Sequence, residues 1–237
     1  MLDPNLSATH ADFIAARPAG ADEDVHMLPG IVDHVIETLT RPGAVVLDPF
    51  AGFGTTLARA AALGRRALGV ELLPERVEHV RKLVPAAHVV EGDARELLRL
   101  VDGLAMGPVD LILTSPPYMT VNDHAADPLT AYELEGGDYA RYLAELSLVA
   151  AQCTRLLTQG GHLVWNVADI DHLGVTTPLI ADCTRLLSDH LTPAGNTAIA
   201  WDRYPHDLVA DALLVFRRPP DRGCPGTGAF RPPSRPT

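Results

Sequence analysis

Cysteine is scarce in this chain: only Cys153, Cys183 and Cys224 occur in 237 residues, widely spaced and with no Cys-x-x-Cys pair. That spacing argues against a disulfide framework or a zinc site and suits buried structural thiols in a reducing compartment. No metal centre is expected. Long apolar runs are missing too, since none approaches the roughly eighteen residues that a membrane span requires. Residues 1–20 lack a basic stretch followed by an apolar core, so no secretory signal is visible and a cytoplasmic location is expected. The third shortage is positive charge. The formal net charge is −11; from Arg217 onward five arginines face only Asp221, a balance of +4 that leaves −15 on the preceding 216 residues. An anionic body weakens any expectation of tight, independent binding to duplex DNA, because phosphates call for a cationic surface.

What is present is the make-up of one large globular domain, with 47% apolar and 21% charged residues. Residues 1–24 read as a flexible lead-in rich in Ala, Asp and Pro. A helical pattern then places Ile31, Val35, Ile36 and Leu39 on one face before the breakers Arg41-Pro42-Gly43. From there short apolar runs alternate with helical segments. Strands are expected at 44–47, 67–70, 88–90, 109–113 and 163–167, with helices at about 55–63, 74–83, 94–101, 138–157 and 175–190. Two late strands, near 196–202 and 209–216, are joined by Arg203-Tyr204-Pro205-His206, too short a link for a helical crossover. The expected fold is α/β: a doubly wound, mostly parallel sheet with an antiparallel C-terminal edge hairpin, spanning residues 25–218. The Pro-, Gly- and Arg-rich segment 219–237 reads as a disordered tail.

In an open parallel sheet, ligands bind beyond the carboxyl ends of the strands. Here those ends carry Asp48, Glu71, Asp93 and the run Ser115-Pro116-Pro117-Tyr118, a polarity that folding alone does not require. After the first of these strands comes Asp48-Pro49-Phe50-Ala51-Gly52-Phe53-Gly54-Thr55-Thr56, in which Gly52 and Gly54 allow a sharp turn and a close ligand approach. Thr55 or Thr56 can serve the following helix N-terminus. Leu57 breaks the Gly-x-Gly-x-x-Gly pattern of dinucleotide enzymes, and the phosphate-binding loop lysine is absent. Glu71, 23 residues after Asp48, has the spacing of an acid that bonds ribose hydroxyls. Asp93 suits either an adenine amino group or the cap of the helix that follows it.

Thr114-Ser115-Pro116-Pro117-Tyr118 is the sharpest signal. Two prolines after a buried strand fix the backbone and leave carbonyls free to accept hydrogen bonds. The lone pair of an exocyclic amine on a nucleobase is conjugated into the ring, which makes that nitrogen a poor nucleophile. Acceptors such as the Ser115 hydroxyl and the Pro116 carbonyl would draw the amine toward tetrahedral geometry, and Tyr118 would stack on the base. No cysteine lies beside Ser115, which argues against a covalent route at cytosine C5.

Together the glycine motif and the Ser-Pro-Pro-Tyr run resemble the N4-cytosine and N6-adenine DNA methyltransferases over roughly residues 26–217. The resemblance implies a Rossmann-like methyltransferase with S-adenosylmethionine as cofactor. It would place Phe50, Gly52, Gly54 and Thr55 along the cofactor, Asp48 near its amino-acid end, Glu71 at the ribose and Asp93 at the adenine. Ser115, Pro116, Pro117 and Tyr118 would form the target-amine site. Serine at the first motif position is more typical of N4-cytosine members. The chain departs from the pattern in motif order and in lacking a sequence-reading region. Its one insertion, 119–137, is acidic through Asp123, Asp127, Glu133 and Glu135. The resemblance therefore implies nucleic acid as partner, DNA ahead of RNA, with a second subunit or a dimer to recognise the target. An RNA amino-methyltransferase and an enzyme of a small amine or nucleoside are the competing readings. A non-catalytic cofactor-binding domain would have no need of the Ser-Pro-Pro-Tyr run. Among the histidines, His26 could border the cofactor pocket, and His206 with Asp207 could reach the target site.

Overall fold

A computed structural model of the chain describes residues 1–18, 21, 26–104, 106–117, 139–172 and 174–219. Strand β1 (Asn5–Ala8) and helix α1 (His10–Ala15) come first, followed by α2 (Pro29–Leu39). Pro29 occupies the first turn of α2, where its preset φ suits a helix start and its missing N–H costs no bond. The alternating core then runs β2 (Val45–Asp48), α3 (Thr55–Ala62), β3 (Arg66–Glu71), α4 (Pro74–Leu83) and β4 (His88–Glu91). A 3-10 turn at 94–96 leads into α5 (Leu97–Val101) and β5 (Val109–Thr114). Helix α6 (Tyr139–Leu156), β6 (Leu157–His172), β7 (Val175–Thr177), α7 (Leu179–Ser188), β8 (Thr192–Trp201) and β9 (Leu208–Arg217) complete the described chain.

The strands form one sheet in the order β1-β8-β9-β6-β5-β2-β3-β4, with β7 paired to the far end of β6. Strands β2 to β6 are mutually parallel, while β9 is antiparallel to both β6 and β8. Both faces are covered, which is why the central strands read as continuous apolar runs: Leu111, Ile112 and Leu113 are all fully buried. One layer packs α6 and α7 around Ile112, Trp165 and Leu214, and the other packs α2, α3 and α4 around Leu111, Leu113 and Val164. From β2 the chain builds outward through β3 and β4, then returns to place β5 on the other side of β2. That reversal puts the topological switch point between β2 and β5.

Two expectations change. Residues 5–15 do not behave as a flexible lead-in. Strand β1 pairs in parallel with β8, Asn5 opposite Ala198 and Ala8 opposite Trp201, and Phe13 of α1 is buried. The β8–β9 hairpin stands at one side of the sheet as expected, with β1 added in parallel outside β8. Strand β6 is longer than expected and absorbs Gly160 and Gly161; the register against β5 shifts there, with Leu157 opposite Val109 but His162 opposite Leu111. The insertion 119–137 and residues 220–237 of the expected tail lie outside the described residues. Among the described residues no helix is long and apolar enough to cross a membrane.

Candidate active site

A cavity of about 540 Å³ opens at the switch point, within the size range of small-molecule sites. Asp48, Phe50, Gly52, Thr55, Glu71, Asp93, Ser115, Pro116 and Pro117 all line it. Gly54 does not line it, and Tyr118 lies outside the described residues. Residues read from two separate motifs thus meet around one space.

The join between them is a hydrogen bond. Thr114, at the end of β5, donates its hydroxyl to Asp48 Oδ1 at 2.5 Å, and the Phe50 N–H donates to the same oxygen at 3.0 Å. Asp48 is buried and forms no ion pair among the described residues. Burial pushes its carboxyl up to about 6, although the Thr114 and Phe50 hydrogen bonds oppose the shift. Glu71, also buried, accepts the Gly52 N–H at 2.7 Å and the Leu73 N–H at 2.9 Å. Burial raises its carboxyl as well, against those two amides. Glu71 therefore holds the glycine turn in shape while lining the cavity.

Gly52 and Gly54 both have positive φ, +52° and +85°. A Cβ on Gly54 would also meet Val80 of α4 at 2.9 Å, so glycine is required there for both backbone and space. Gly54 is itself the N-cap of α3, and no side chain caps the helix. The expectation that Thr55 or Thr56 serves as the cap is corrected accordingly: the turn closes one residue earlier, and Thr55 stands at the cavity wall.

Asp93 takes the capping alternative. It accepts the Arg95 N–H at 2.8 Å, and both of its oxygens also receive the Arg95 guanidinium, which reaches Glu145 of α6 at 3.0 Å. Burial alone would raise the Asp93 carboxyl, but the Arg95 contacts together hold it below its usual value. Opposite, the Tyr142 hydroxyl donates to the Pro117 carbonyl at 3.1 Å, so α6 clamps the Pro-Pro turn. One of the carbonyls expected to be free is thereby occupied.

The rest of the wall escaped the sequence reading. Phe13, Met27 and Leu28 enter from the N-terminal segment, Asn166 from β6, and Trp201 and Asp211 from β8 and β9. His26 and His206, set aside as candidates in the sequence, line the cavity too. The His26 ring stacks on Phe13 at 4.4 Å between centroids, while Trp201 and His206 meet Phe13 edge-on at 5.9 and 6.0 Å. His206 has φ +52°, the only non-glycine at positive φ among the described residues, and that turn carries its ring to the cavity. Asn166 and Asp211 do leave a trace in the sequence. Asp211 is the lone polar residue in the run 208–216, a pattern that marks a buried polar group needing partners, and Asn166 is the polar residue of the apolar run 163–167 within the longer, mixed β6. The thiols of Cys153 and Cys183 are free and buried, and burial pushes both upward, away from reactivity. Among the described residues no cluster of three potential ligands could hold a metal.

Asp48 and Asp211, two buried carboxylates with no ion-pair partner among the described residues, share this cavity, each pushed up to about 6. A shift of that size costs the fold roughly 3 kcal/mol per group at neutral pH. The sign is that of a raised acid. The folded state holds the proton more tightly, so the cost is absent below about pH 4 and complete above about pH 6. Groups kept at such expense suit a cavity that takes a cationic or amino-bearing ligand. A sulfonium donor bearing an ammonium group and a ribose diol fits Asp48 and Glu71 on that ground.

The fold is that of the Rossmann-like methyltransferases. TrmN from Thermus thermophilus superposes with a TM-score of 0.58 at 19% identity, over 87% of this chain and 52% of that one. In sequence, the DNA methylase family (N6_N4_Mtase) matches residues 29–82, the segment from α2 through α4. Over residues 29–82 the chain is thus similar to the DNA methylases. The DNA adenine methyltransferase YhdJ of Escherichia coli (strain K12) is 41% identical over 59 residues, covering 24% of this chain and 20% of that one. A 4-amino-L-phenylalanine/4-methylamino-L-phenylalanine methyltransferase of Streptomyces pristinaespiralis is 31% identical over 145 residues, 54% of this chain and 46% of its own. The chain therefore spans less than half the length of either curated relative.

Proposed function

We propose that the protein is an S-adenosylmethionine-dependent methyltransferase acting on an amino nitrogen conjugated to an aromatic ring, with a DNA base as its target. The observation that carries this reading is the Thr114–Asp48 hydrogen bond, through which the glycine turn and the Ser-Pro-Pro run border one cavity. Asp48, the Phe50–Thr55 turn and Glu71 would hold the cofactor, which supplies an electrophilic methyl group when bound. Ser115 and Pro116 would accept hydrogen bonds from the target amine, and Tyr118 would stack on its ring. Catalysis would come mainly from positioning and electrostatics. The match of residues 29–82 to the DNA methylases supports a base as target, and Ser115 favours N4 of cytosine over N6 of adenine. Because the body is anionic, recognition of DNA would rest on a partner subunit or a dimer.

A second reading has its own support. The relative from Streptomyces pristinaespiralis, whose name gives an arylamine amino acid as substrate, aligns over a longer stretch than the family match does. A small arylamine presents the same conjugated nitrogen and needs no cationic groove. The test is incubation of the protein with methyl-labelled S-adenosylmethionine and, separately, duplex DNA, single-stranded DNA, total RNA and 4-amino-L-phenylalanine. Mass spectrometry of the products then names the acceptor. N4-methylcytosine from DNA is the expected product; label in the amino acid alone moves the assignment to the second reading. Absence of label throughout, with cofactor bound, would sink the second reading and point to a missing partner subunit or a non-catalytic role for the first.

A further inference from the structure

The carboxylate of Asp211 has no place in the two motifs, yet it lies in the same cavity. Asn166 Nδ2 donates to its Oδ1 at 2.6 Å and Trp201 Nε1 donates to its Oδ2 at 2.8 Å. Both donors are neutral, so they orient the carboxylate without cancelling its charge. Asp211 itself is 7% exposed. Its position follows from the sheet. Strand β9 runs against β6, with Asp211 opposite Ala168 and Leu213 opposite Asn166, which brings the start of β9 to the carboxyl edge of the parallel strands. Along β5 and β6, Thr114 is opposite Trp165, which sets Asn166 one residue further on, beside Ser115. Neighbouring strands are about 4.8 Å apart. By the period of two, Asn166 and Asp211 share the face of Val164 and Leu213, the face on which Phe13, Met27 and Leu28 pack.

A charged oxygen on the wall of a ligand cavity, held by two fixed neutral donors, is built to accept a further hydrogen. We propose that Asp211 is a further acceptor for the target amine: it binds one N–H of the ring-attached amino group, leaving the other to Ser115 and Pro116, and takes that proton as the methyl group arrives. This rests on the amino-methyltransferase reading. In the transfer the N–C bond forms while the C–S bond of the sulfonium donor breaks, and the bonding pair stays on sulfur as a neutral thioether. The nitrogen, positively charged once methylated, loses a proton to the Asp211 carboxylate, which passes it to solvent. Asn166 and Trp201 act as positioning residues that aim the carboxylate. The aromatic wall of Phe13, His26 and Trp201 gives the ring of the target a surface to stack on. Besides Asp211, the titratable groups that line this cavity are Asp48, Glu71 and Arg76, the Asp93–Arg95–Glu145 ion-paired set, His26 from the N-terminal segment, and His206 and Asp207 from the β8–β9 turn. Asp169, also on β6, is bound instead to the Ile180 N–H of α7.

The indole of Trp201 makes the test direct, because its N–H rests on the carboxylate in question. Tryptophan fluorescence of the full chain, saturated with S-adenosylhomocysteine, is titrated from pH 4 to 8 in the wild type and in Asp211→Asn. A component with its midpoint near the raised value of about 6 is expected in the wild type alone. Two pairs of probes follow, 2′-deoxycytidine against 2′-deoxyuridine and aniline against toluene. The amine of at least one pair is expected to bind about tenfold or more tighter than its partner, a typical worth for a hydrogen bond to a charged acceptor. It should also move the fluorescence midpoint downward, since a donated N–H favours the ionised carboxylate. Asp211→Asn should diminish the preference while keeping S-adenosylhomocysteine affinity, which certifies its fold. An amine preference that survives undiminished in Asp211→Asn overturns the proposal, as does a midpoint that no amine moves or a wild type with no preference in either pair. Failure of the wild type to bind S-adenosylhomocysteine is a separate result and sinks the methyltransferase reading itself.

Discussion

One wall of the cavity draws on residues 48–56, 71–76 and 92–95, all within fifty residues of chain, and its shape is set by short-range contacts. Asp48 bonds the Phe50 N–H, Glu71 bonds the Leu73 N–H, and Asp93 bonds Arg95, each two residues away. The facing wall draws on Phe13, His26, Ser115, Asn166, Trp201 and Asp211, which come from both ends of the chain and its middle. They meet only because β1 pairs with β8, and β9 with β6. The first wall lies largely within the segment matched to the DNA methylases, residues 29–82, and most of the second lies outside it. A local motif keeps its geometry wherever its fold is kept. A wall assembled through long-range strand pairing can be rebuilt by exchanging single strand residues, which suits one cofactor serving many targets.

The sharpest way to break this division is to cross it. Glu71→Ala removes the acceptor of two backbone amides, Gly52 at the glycine turn and Leu73 after β3, as well as the acid expected at the ribose. Each such amide is worth about 1–3 kcal/mol, so S-adenosylhomocysteine affinity should fall about 100-fold by calorimetry. Glu71→Gln, which keeps one acceptor oxygen, should recover part of that loss. Asp211→Asn should do the reverse, leaving product affinity alone and lowering kcat about 100-fold, at the low end for a lost general base. If Asp211→Asn instead weakened S-adenosylhomocysteine as much as Glu71→Ala does, the two walls would be one functional unit.

Ser115→Ala probes the border between the walls. Its hydroxyl is proposed to accept from the amine, and a single hydrogen bond strengthened in the transition state is worth about tenfold in kcat. Cofactor affinity should stay within about twofold of wild type, well inside what a lost contact would cost. An equal drop in both would mean that Ser115 supports the Asp48 side instead.

How much of this was legible before any coordinates follows the same division. Asp48, Glu71, Ser115 and Pro116 stood out because a polar residue at the end of an apolar parallel strand has few structural reasons to be there. Asn166 and Asp211 carried a weaker signal, one polar residue in each of the apolar runs 163–167 and 208–216, and nothing local told which strand they would face. Phe13 carried none. Strand β1 reads Asn5-Leu6-Ser7-Ala8, a polar–apolar alternation too short to stand out, and it exists because β8, nearly 190 residues later, offers it an open edge. The alternation of strands and helices predicted the doubly wound sheet, since that pattern is written along the chain. The pairing of β1 outside the hairpin was not, because it has no local signature.

The charge on Asp48 gives a pH-based handle on the cofactor wall. Its carboxyl is pushed up to about 6 by burial, so it is ionised at pH 7 and largely protonated at pH 5. A cationic donor favours the ionised form, so S-adenosylmethionine should bind less tightly as pH falls through 6, by up to about tenfold per pH unit. Binding at pH 6 should release protons, a fraction measurable by calorimetry in two buffers of different ionisation enthalpy. The effect should be larger for the sulfonium than for neutral-sulfur S-adenosylhomocysteine. Equal pH dependence for the two would leave the sulfonium charge without a role, and Asp48→Asn should flatten the profile for both.

The smallest effect separates a residue that resembles a cofactor contact from one that acts as such. Asp93 occupies the strand-end position where the resemblance places an adenine contact, but both of its oxygens are engaged by Arg95, and Arg95 is tied to Glu145 of α6. An adenine amino group would have to compete with a guanidinium for that carboxylate. Asp93→Asn keeps an acceptor for the Arg95 N–H and loses only the charge pairing, and a partly exposed ion pair is worth about 1 kcal/mol or less. S-adenosylhomocysteine affinity should change by no more than about threefold, with a small loss of thermal stability as the 93–95 turn loosens against α6. A drop comparable to that of Glu71→Ala would show that the cofactor displaces Arg95 on binding, and Asp93 would then belong with Glu71 among the residues that hold it.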